Sequence, residues 1–411
     1  MNDNNQNQMQ TTSNRWISDK TITPEPSGQY VSNIGLQGLL KNIRTICSLR
    51  DYNVINILLN IFFISSFFIA TYANNFYVLF SIALSLIILL NSFNPNKLLK
   101  TNTSYYFIFA FFLFLSFAYY FMRDFRDSYR IVKTMTILLP VLFIPPYIKI
   151  SVSKLLHYFL VLNALLVCID FLLYYTTGST ITDSEFSGSF LRLGGLMEDS
   201  NFYSFTIVCY IQYLYLKNKT YNKLFVISIF FSASFSAILL LFSIFVYNHL
   251  TRHFEKKVAP LSVVISLCLF VLYYFSVLFL SNLRNYELDN YSLGIKIFSL
   301  SMRFESQYEA LMSDDYLFGI GAGNTVNFTD AGMNLHNSYL QIFLEMGLVL
   351  LVPVLLLIAV YYKKIDNKFI PLFTMMLFLG NILEIIYFPL IPFILFLSIS
   401  AKNETPVIEK S

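Results

Sequence analysis

Charge is what this sequence has least of. Lys, Arg, Asp and Glu make up 13% of its 411 residues, about half the ~25% of an average soluble domain. A soluble chain of this length forms two or three domains and needs a charged surface that these residues cannot supply. The net charge is only +4, and no basic cluster is large. That excludes a nucleic-acid partner held by an electrostatic footprint. Cysteine is scarce too. Cys47, Cys168, Cys209 and Cys268 show neither disulfide-framework nor zinc-ligand spacing, and read as ordinary small apolar residues. No cleavable signal peptide is expected, because the chain is polar until the first long apolar run near Val54.

What the chain has instead is apolar sequence. Hydrophobic residues make up 56% of it, enough for about twelve spans of ~20 residues. The expected fold class is therefore all-α, a polytopic membrane protein of about twelve transmembrane helices. Most runs are clear: 54–73, 76–93, 104–122, 131–147, 155–177, 201–216, 260–281 and 336–362. Two are ambiguous. The stretch 224–250 has lysines before it and basic residues after it, and 369–400 lies between Lys368 and Lys402. Basic flanks at both ends place both ends on one side, so each stretch should be a hairpin. The first should turn at Ser232–Ala237, the second near Asn381–Pro389.

Both termini are then cytoplasmic. With that topology 20 of the 28 basic residues lie inside and seven outside, with Lys133 inside a span. This is the asymmetry of the positive-inside rule. Residues 1–53 form a polar cytoplasmic tail with an interfacial helix expected at 34–49, 54–400 the membrane domain, and 401–411 a second tail. No internal repeat is visible in the residues.

Two outer loops are long, 178–200 and 282–335, and their mixed aromatic, Leu and Gly content points to folded structure. The second contains a Gly-x-Gly-x-Gly turn at Gly319, Gly321 and Gly323. Its backbone N–H groups suit either an anion or a plain tight loop. His336 alone of four histidines falls at the outer surface. A neutral imidazole there can take a proton from an alcohol, or simply be satisfied by loop backbone. Arg192 and Arg303 lie in the two loops; a guanidinium suits phosphate, a lipid headgroup, or an ion pair with Glu305 or Glu309. Asp170, Glu345 and Glu384 fall within apolar runs, where a carboxylate needs a partner or a water-lined cavity. They keep proton-coupled transport open as a second class. The outer loops hold no Asp-x-Asp motif and no metal-ligand cluster, so neither a metal nor a cofactor is expected.

Phe318–Asn324 followed by His336-Asn-Ser-Tyr-Leu-Gln-Ile-Phe-Leu-Glu-Met-Gly347 resembles the carboxyl-terminal signature of the O-antigen polymerase and O-antigen ligase superfamily. Arg192-Leu-Gly-Gly with Glu198-Asp-Ser-Asn201 is similar to that family's first large outer-loop motif, with Ser200 where proline is common. The turn Ser232-Ala-Ser-Phe-Ser-Ala237 resembles a third segment, with Phe235 where arginine is common. Ligases resemble one another in a second glycine and paired threonines after the histidine segment. Leu350, Leu351 and Val352 stand there, which favours the polymerase branch.

The resemblance implies a glycosyltransferase of the bacterial inner membrane that joins polyprenyl-diphosphate-linked oligosaccharides into O-antigen, capsular or exopolysaccharide. It implies His336 as general base, and Arg192, Arg303, Asn337, Gly321, Gly323 and Asn201 as diphosphate- and substrate-binding residues. A chain-length regulator and a flippase of the same pathway are the implied protein partners. The alternatives are a ligase acting on lipid A core and a flippase of lipid-linked sugars.

Overall fold

The computed structural model describes residues 52–69, 75–92, 140–142, 144, 148–182, 184–187, 190–197, 199–254, 258–280, 292–314, 317–321, 324–329, 335–381, 383 and 389–404. The expected interfacial helix at 34–49, the apolar run 104–122, Gly323 and Glu384 lie outside them. The described residues are mostly helical. Among the described residues, three helices are long and apolar enough to cross a membrane: Lys154–Thr177, Pro260–Phe279 and Ser338–Lys364. Several shorter apolar helices accompany them.

In chain order the helices are α1 (Tyr52–Ile69), α2 (Asn75–Ser92), α3 (Lys154–Thr177), α4 (Ser200–Asn218), α5 (Lys223–Phe231), α6 (Phe235–Phe254) and α7 (Val258–Leu280). They continue with α8 (Ser292–Leu311), the single turn α9 (Thr325–Phe328), α10 (Ser338–Lys364), α11 (Ile370–Leu379) and α12 (Leu390–Glu404). The first long loop is not all helical. It holds an antiparallel pair, β1 (Ser184–Ser187) and β2 (Phe190–Leu193), with Arg192 opposite Glu185 in register. Strands of four residues leave too short an alternation to read from sequence.

Helix α4 sits at the centre. Every residue from Tyr203 to Tyr213 is buried, the mark of a helix packed on all sides. α12, α5 and α6 pack against it. Aromatic rings join α1 to α12: Phe63 meets Phe396 at a tilt, centroids 4.9 Å apart, and Phe67 meets Phe393 edge-on at 4.9 Å. Two asparagines one turn apart on α1 clamp the extended segment before α3. Asn56 accepts from the Ser151 N–H at 2.8 Å, and Asn60 accepts from the Ser153 N–H at 2.9 Å. The far ends of α4 and α12 close on an ion pair, Lys217 with Glu404 at 2.6 Å, to which Tyr213 also donates.

Both expected hairpins are present, and polar contacts close them. Helix α5 has nine residues, about 13 Å, and cannot cross ~30 Å of hydrocarbon alone. The chain breaks at Ser232–Ser234, with Ala233 at φ 55°, and returns along α6. Asn248 on α6 donates to Tyr221 just before α5, at 3.1 Å. At the turn, Ser234 donates to Asn201 at 2.9 Å and Ser232 meets Ser204 at 2.5 Å. The second hairpin closes where the Asp366 N–H donates to Ser398 at 2.8 Å. After α11, Gly380 and Leu383 reach the start of α10: the Ser338 N–H donates to the Gly380 carbonyl at 2.7 Å and its hydroxyl to the Leu383 carbonyl at 2.8 Å.

The two halves share a contact pattern that the residues do not show. In each, a side chain caps a long helix, and a hairpin follows whose turn packs on that helix's first residues. Asp199 and Asn337 are the two caps, each accepting from two backbone N–H groups.

Helix α10 is not continuous. Gly347 has φ 67° and ψ −173°, outside any helical region and costly for a residue with a Cβ. The break frees the carbonyls of Leu344 and Glu345. Ile320 and Gly321 donate to them at 2.8 and 2.9 Å, and Val349 donates to the Leu317 carbonyl at 3.3 Å. A Cβ on Gly347 would stand 2.1 Å from the Leu317 oxygen, and one on Gly319 would stand 2.5 Å from the Leu344 oxygen. We expect Gly347→Ala to destabilise the protein by roughly 2–4 kcal/mol, combining left-handed strain with a backbone clash. A lowered thermal midpoint of the detergent-solubilised protein is the measurement.

Candidate functional site

The broken α10 begins at the residue that the sequence singles out. His336 immediately precedes the cap residue Asn337 and is held at φ 50°. Left-handed φ is uncommon outside glycine, and such residues gather at functional sites. Its neighbours are fully buried: Leu335 and Asn337 are both 0% exposed. His336 itself is half-buried.

Helix α8 packs against α7 and α10 and carries Arg303 to this place. Arg303 is half-buried, and its Nε is enclosed without a hydrogen-bond partner. Burial lowers its pKa; neighbouring Tyr273 opposes that shift, and the positive charge of Arg192 adds to it. The charge of Arg303 acts in turn on His336. Burial first, and Arg303 second, lower the imidazole from 6.5 to about 4. Arg192 in the first loop thus acts on Arg303 in the second, and Arg303 acts on His336. No spacing in the chain could show this.

The first loop is anchored by structural groups. Gly195, at φ 59°, lets the loop approach α3, where a Cβ would meet Asn163 Oδ1 at 2.3 Å. The same Asn163 oxygen accepts from the Leu196 N–H at 2.8 Å. Asp170 is buried and takes the Ile181 N–H at 2.6 Å, the Thr182 N–H at 3.2 Å and the Thr182 hydroxyl. Glu345 is buried as well. It accepts from Thr325 at 2.8 Å and from Gln341 at 3.1 Å, tying α9 to α10. Two of the three carboxylates in apolar runs are therefore loop anchors.

The remaining expected ligand groups divide. The Gly321 N–H, offered by the sequence to an anion, donates to the Glu345 carbonyl. Its φ of 100° serves backbone packing, not an anion cradle. Asn337 caps α10 with its oxygen and reaches Gln307 with its nitrogen at 3.4 Å, so its amide faces the fold. The Asn201 oxygen holds the first hairpin through Ser234. These asparagines and Gly321 act on the site by building it. Nothing in the residue pattern singles out Tyr273, one tyrosine in an apolar run. Its hydroxyl lies 2.7 Å from the Asn381 carbonyl and 2.9 Å from Gln307 Oε1, joining α7, α8 and the second hairpin beside Arg303.

The arrangement thus holds a guanidinium with an unpartnered Nε near an imidazole kept toward its neutral form. No protein-family model matches this chain, and no curated protein matches it.

The pH behaviour follows from the His336 shift. Its folded pKa is about 4 against 6.5 unfolded, so the unfolded chain binds the extra proton between those values. Stability linked to this group is full above 6.5 and is lost as pH falls toward 4. Thermal unfolding of wild type and His336→Gln between pH 7.5 and 4.5 is the test. The wild type is expected to lose more stability than the variant across that interval.

Proposed function

We propose that this protein is a polytopic membrane glycosyltransferase that polymerises polyprenyl-diphosphate-linked oligosaccharide repeat units. In this reading the chain crosses the bacterial inner membrane twelve times, with both termini inside and both long loops outside. The product is O-antigen, capsular or exopolysaccharide. The observation that carries the reading is a half-buried Arg303 whose enclosed Nε has no hydrogen-bond partner, near enough to His336 to lower its pKa, with Arg192 of the other loop acting on Arg303.

The chemistry follows from those groups. The acceptor is a sugar hydroxyl of one lipid-linked unit, the donor the anomeric carbon of another. His336 accepts the hydroxyl proton as the new glycosidic C–O bond forms. The bond between the anomeric carbon and the diphosphate oxygen breaks, and its electron pair leaves on the polyprenyl diphosphate. Arg192 and Arg303 stabilise the charge that develops there. Fixed cations in a site shielded from water stabilise such charge more than mobile ones in solution.

The same field tunes the base. Without substrate, Arg303 helps hold His336 neutral, ready to accept a proton. An anionic diphosphate beside Arg303 offsets that charge and raises the imidazole basicity when the acceptor arrives. The roles of Asp170 and Glu345 as loop anchors weigh against proton-coupled transport.

The test is chain-length analysis of surface polysaccharide in a deletion strain complemented with single variants at equal expression. His336→Ala, Arg192→Ala and Arg303→Ala are each expected to lower polymer yield by on the order of 10²-fold or more, leaving single-repeat glycans. Normal polymer from His336→Ala removes the base. Normal polymer from both arginine variants removes the diphosphate clamp. Long polymer stranded on its carrier lipid in the deletion strain assigns the protein to ligation instead.

A further inference from the structure

We propose that Gln307 is a positioning residue, a single buried amide that holds His336 in place beside Arg303 by gripping the residues on both sides of it. The proposal rests on the role given to His336 above and adds the group that orients it.

Gln307 is 0% exposed. Its Nε2 donates to the Leu335 carbonyl at 2.9 Å. Its Oε1 receives Asn337 Nδ2 at 3.4 Å. Leu335 and Asn337 are the two chain neighbours of His336, so one amide grips the backbone before the imidazole and the side chain after it. That grip opposes relaxation of the left-handed backbone at His336, where φ is 50°. The Oε1 also meets the Tyr273 hydroxyl at 2.9 Å, and that hydroxyl reaches Asn381 at the second hairpin turn. The clamp is thereby referenced to three elements and not to a loop alone.

The position of Gln307 on α8 gives it a second property. It follows Arg303 by one helical turn, and residues four apart share a helix face. The same face therefore carries the cation and the clamp. One helix thus positions both. Neither a hydrocarbon nor a lysine could replace the amide. The site needs one donor toward Leu335 and one acceptor toward Asn337 and Tyr273, and a buried group lacking either leaves a polar partner unsatisfied.

The measurement is the imidazole titration of the full-length detergent-solubilised protein labelled with 15N at histidine. The chain has four histidines, and the His336 signal is the one lost in His336→Gln. Gln307→Leu is expected to raise the His336 midpoint by at least about one pH unit toward 6.5, as the imidazole leaves its buried place. The other three signals should not move. An unmoved His336 midpoint overturns the proposal.

Gln307→Glu serves if the leucine variant does not fold. When protonated, its carboxyl can donate to Leu335 and accept from Asn337, as the amide does. When ionised it repels the Leu335 carbonyl. The His336 signal should then match wild type in acid and depart from it as the new carboxyl ionises, a transition that wild type lacks. Its absence overturns the proposal.

Polymer assay separates this claim from the function assigned above. Gln307→Leu is expected to cut polymer on the order of 10²-fold. If the titration moves and polymer is unchanged, Gln307 still positions His336 but His336 is not the base. If polymer falls with the titration unmoved, the positioning role is wrong and the function stands.

Discussion

The break in α10 at Gly347 is the constraint on which the loop-bearing end depends. A continuous helix would pair the Leu344 and Glu345 carbonyls with N–H groups of its own next turn. The left-handed glycine withdraws them from the ladder, and the turn 317–321 takes them up. Backbone meets backbone so closely at Gly319 and Gly347 that no side chain fits at either. The turn lies between α8 and α10 in the chain. Fastening it to α10 therefore limits where α8 can lie, and with it Arg303. Glu345 reinforces the joint by taking the Thr325 hydroxyl from α9.

Five residues of the His336–Gly347 segment thus serve construction. Asn337 caps, Ser338 ties in the second hairpin, Tyr339 donates to Leu377 at 2.8 Å, Glu345 anchors and Gly347 bends. The segment's first residue is the one with a ring half-open and chemistry to offer. The same division holds in the first loop. Gly195, Asp199 and Asn201 shape and fasten it, and Arg192 supplies charge. In each half a capped helix and a hairpin turn make the platform, and one or two polar groups stand on it. Platforms of this kind hold reactive groups more tightly than free loops do.

Placing two guanidinium groups near each other and beside an imidazole is unfavourable while the site holds no anion. Arg192 lowers Arg303, and Arg303 lowers His336. The repulsion is sustained by burial and by the backbone joints just described. Such a field attracts an anion and gains most from one that bears several negative oxygens. That is the physical basis of the proposed diphosphate role.

Much of the architecture was legible in the residues, because hydropathy and charge act locally. The apolar runs at 54–73, 76–93, 155–177 and 201–216 fall on α1 to α4, and both hairpins turn where small or polar residues interrupt the run. The bilayer penalty on charge makes those signals strong. The β1–β2 pair was not legible, since four residues carry no period. The roles of Gly321 and Asn337 were not legible either. A glycine N–H looks the same in sequence whether it faces an anion or a carbonyl, and an asparagine before a helix caps or binds by geometry alone.

By itself, then, the sequence determined a helical chain rich in apolar segments, the places where its helices break, and three polar residues worth attention. Only the tertiary structure decided that Arg192 acts on Arg303 and Arg303 on His336. It alone turned Asp170 and Glu345 from proton-carrying candidates into loop anchors. The reason is physical. Hydrophobic burial is read residue by residue, whereas Coulomb interactions and hydrogen bonds depend on distances set by segments far apart in the chain.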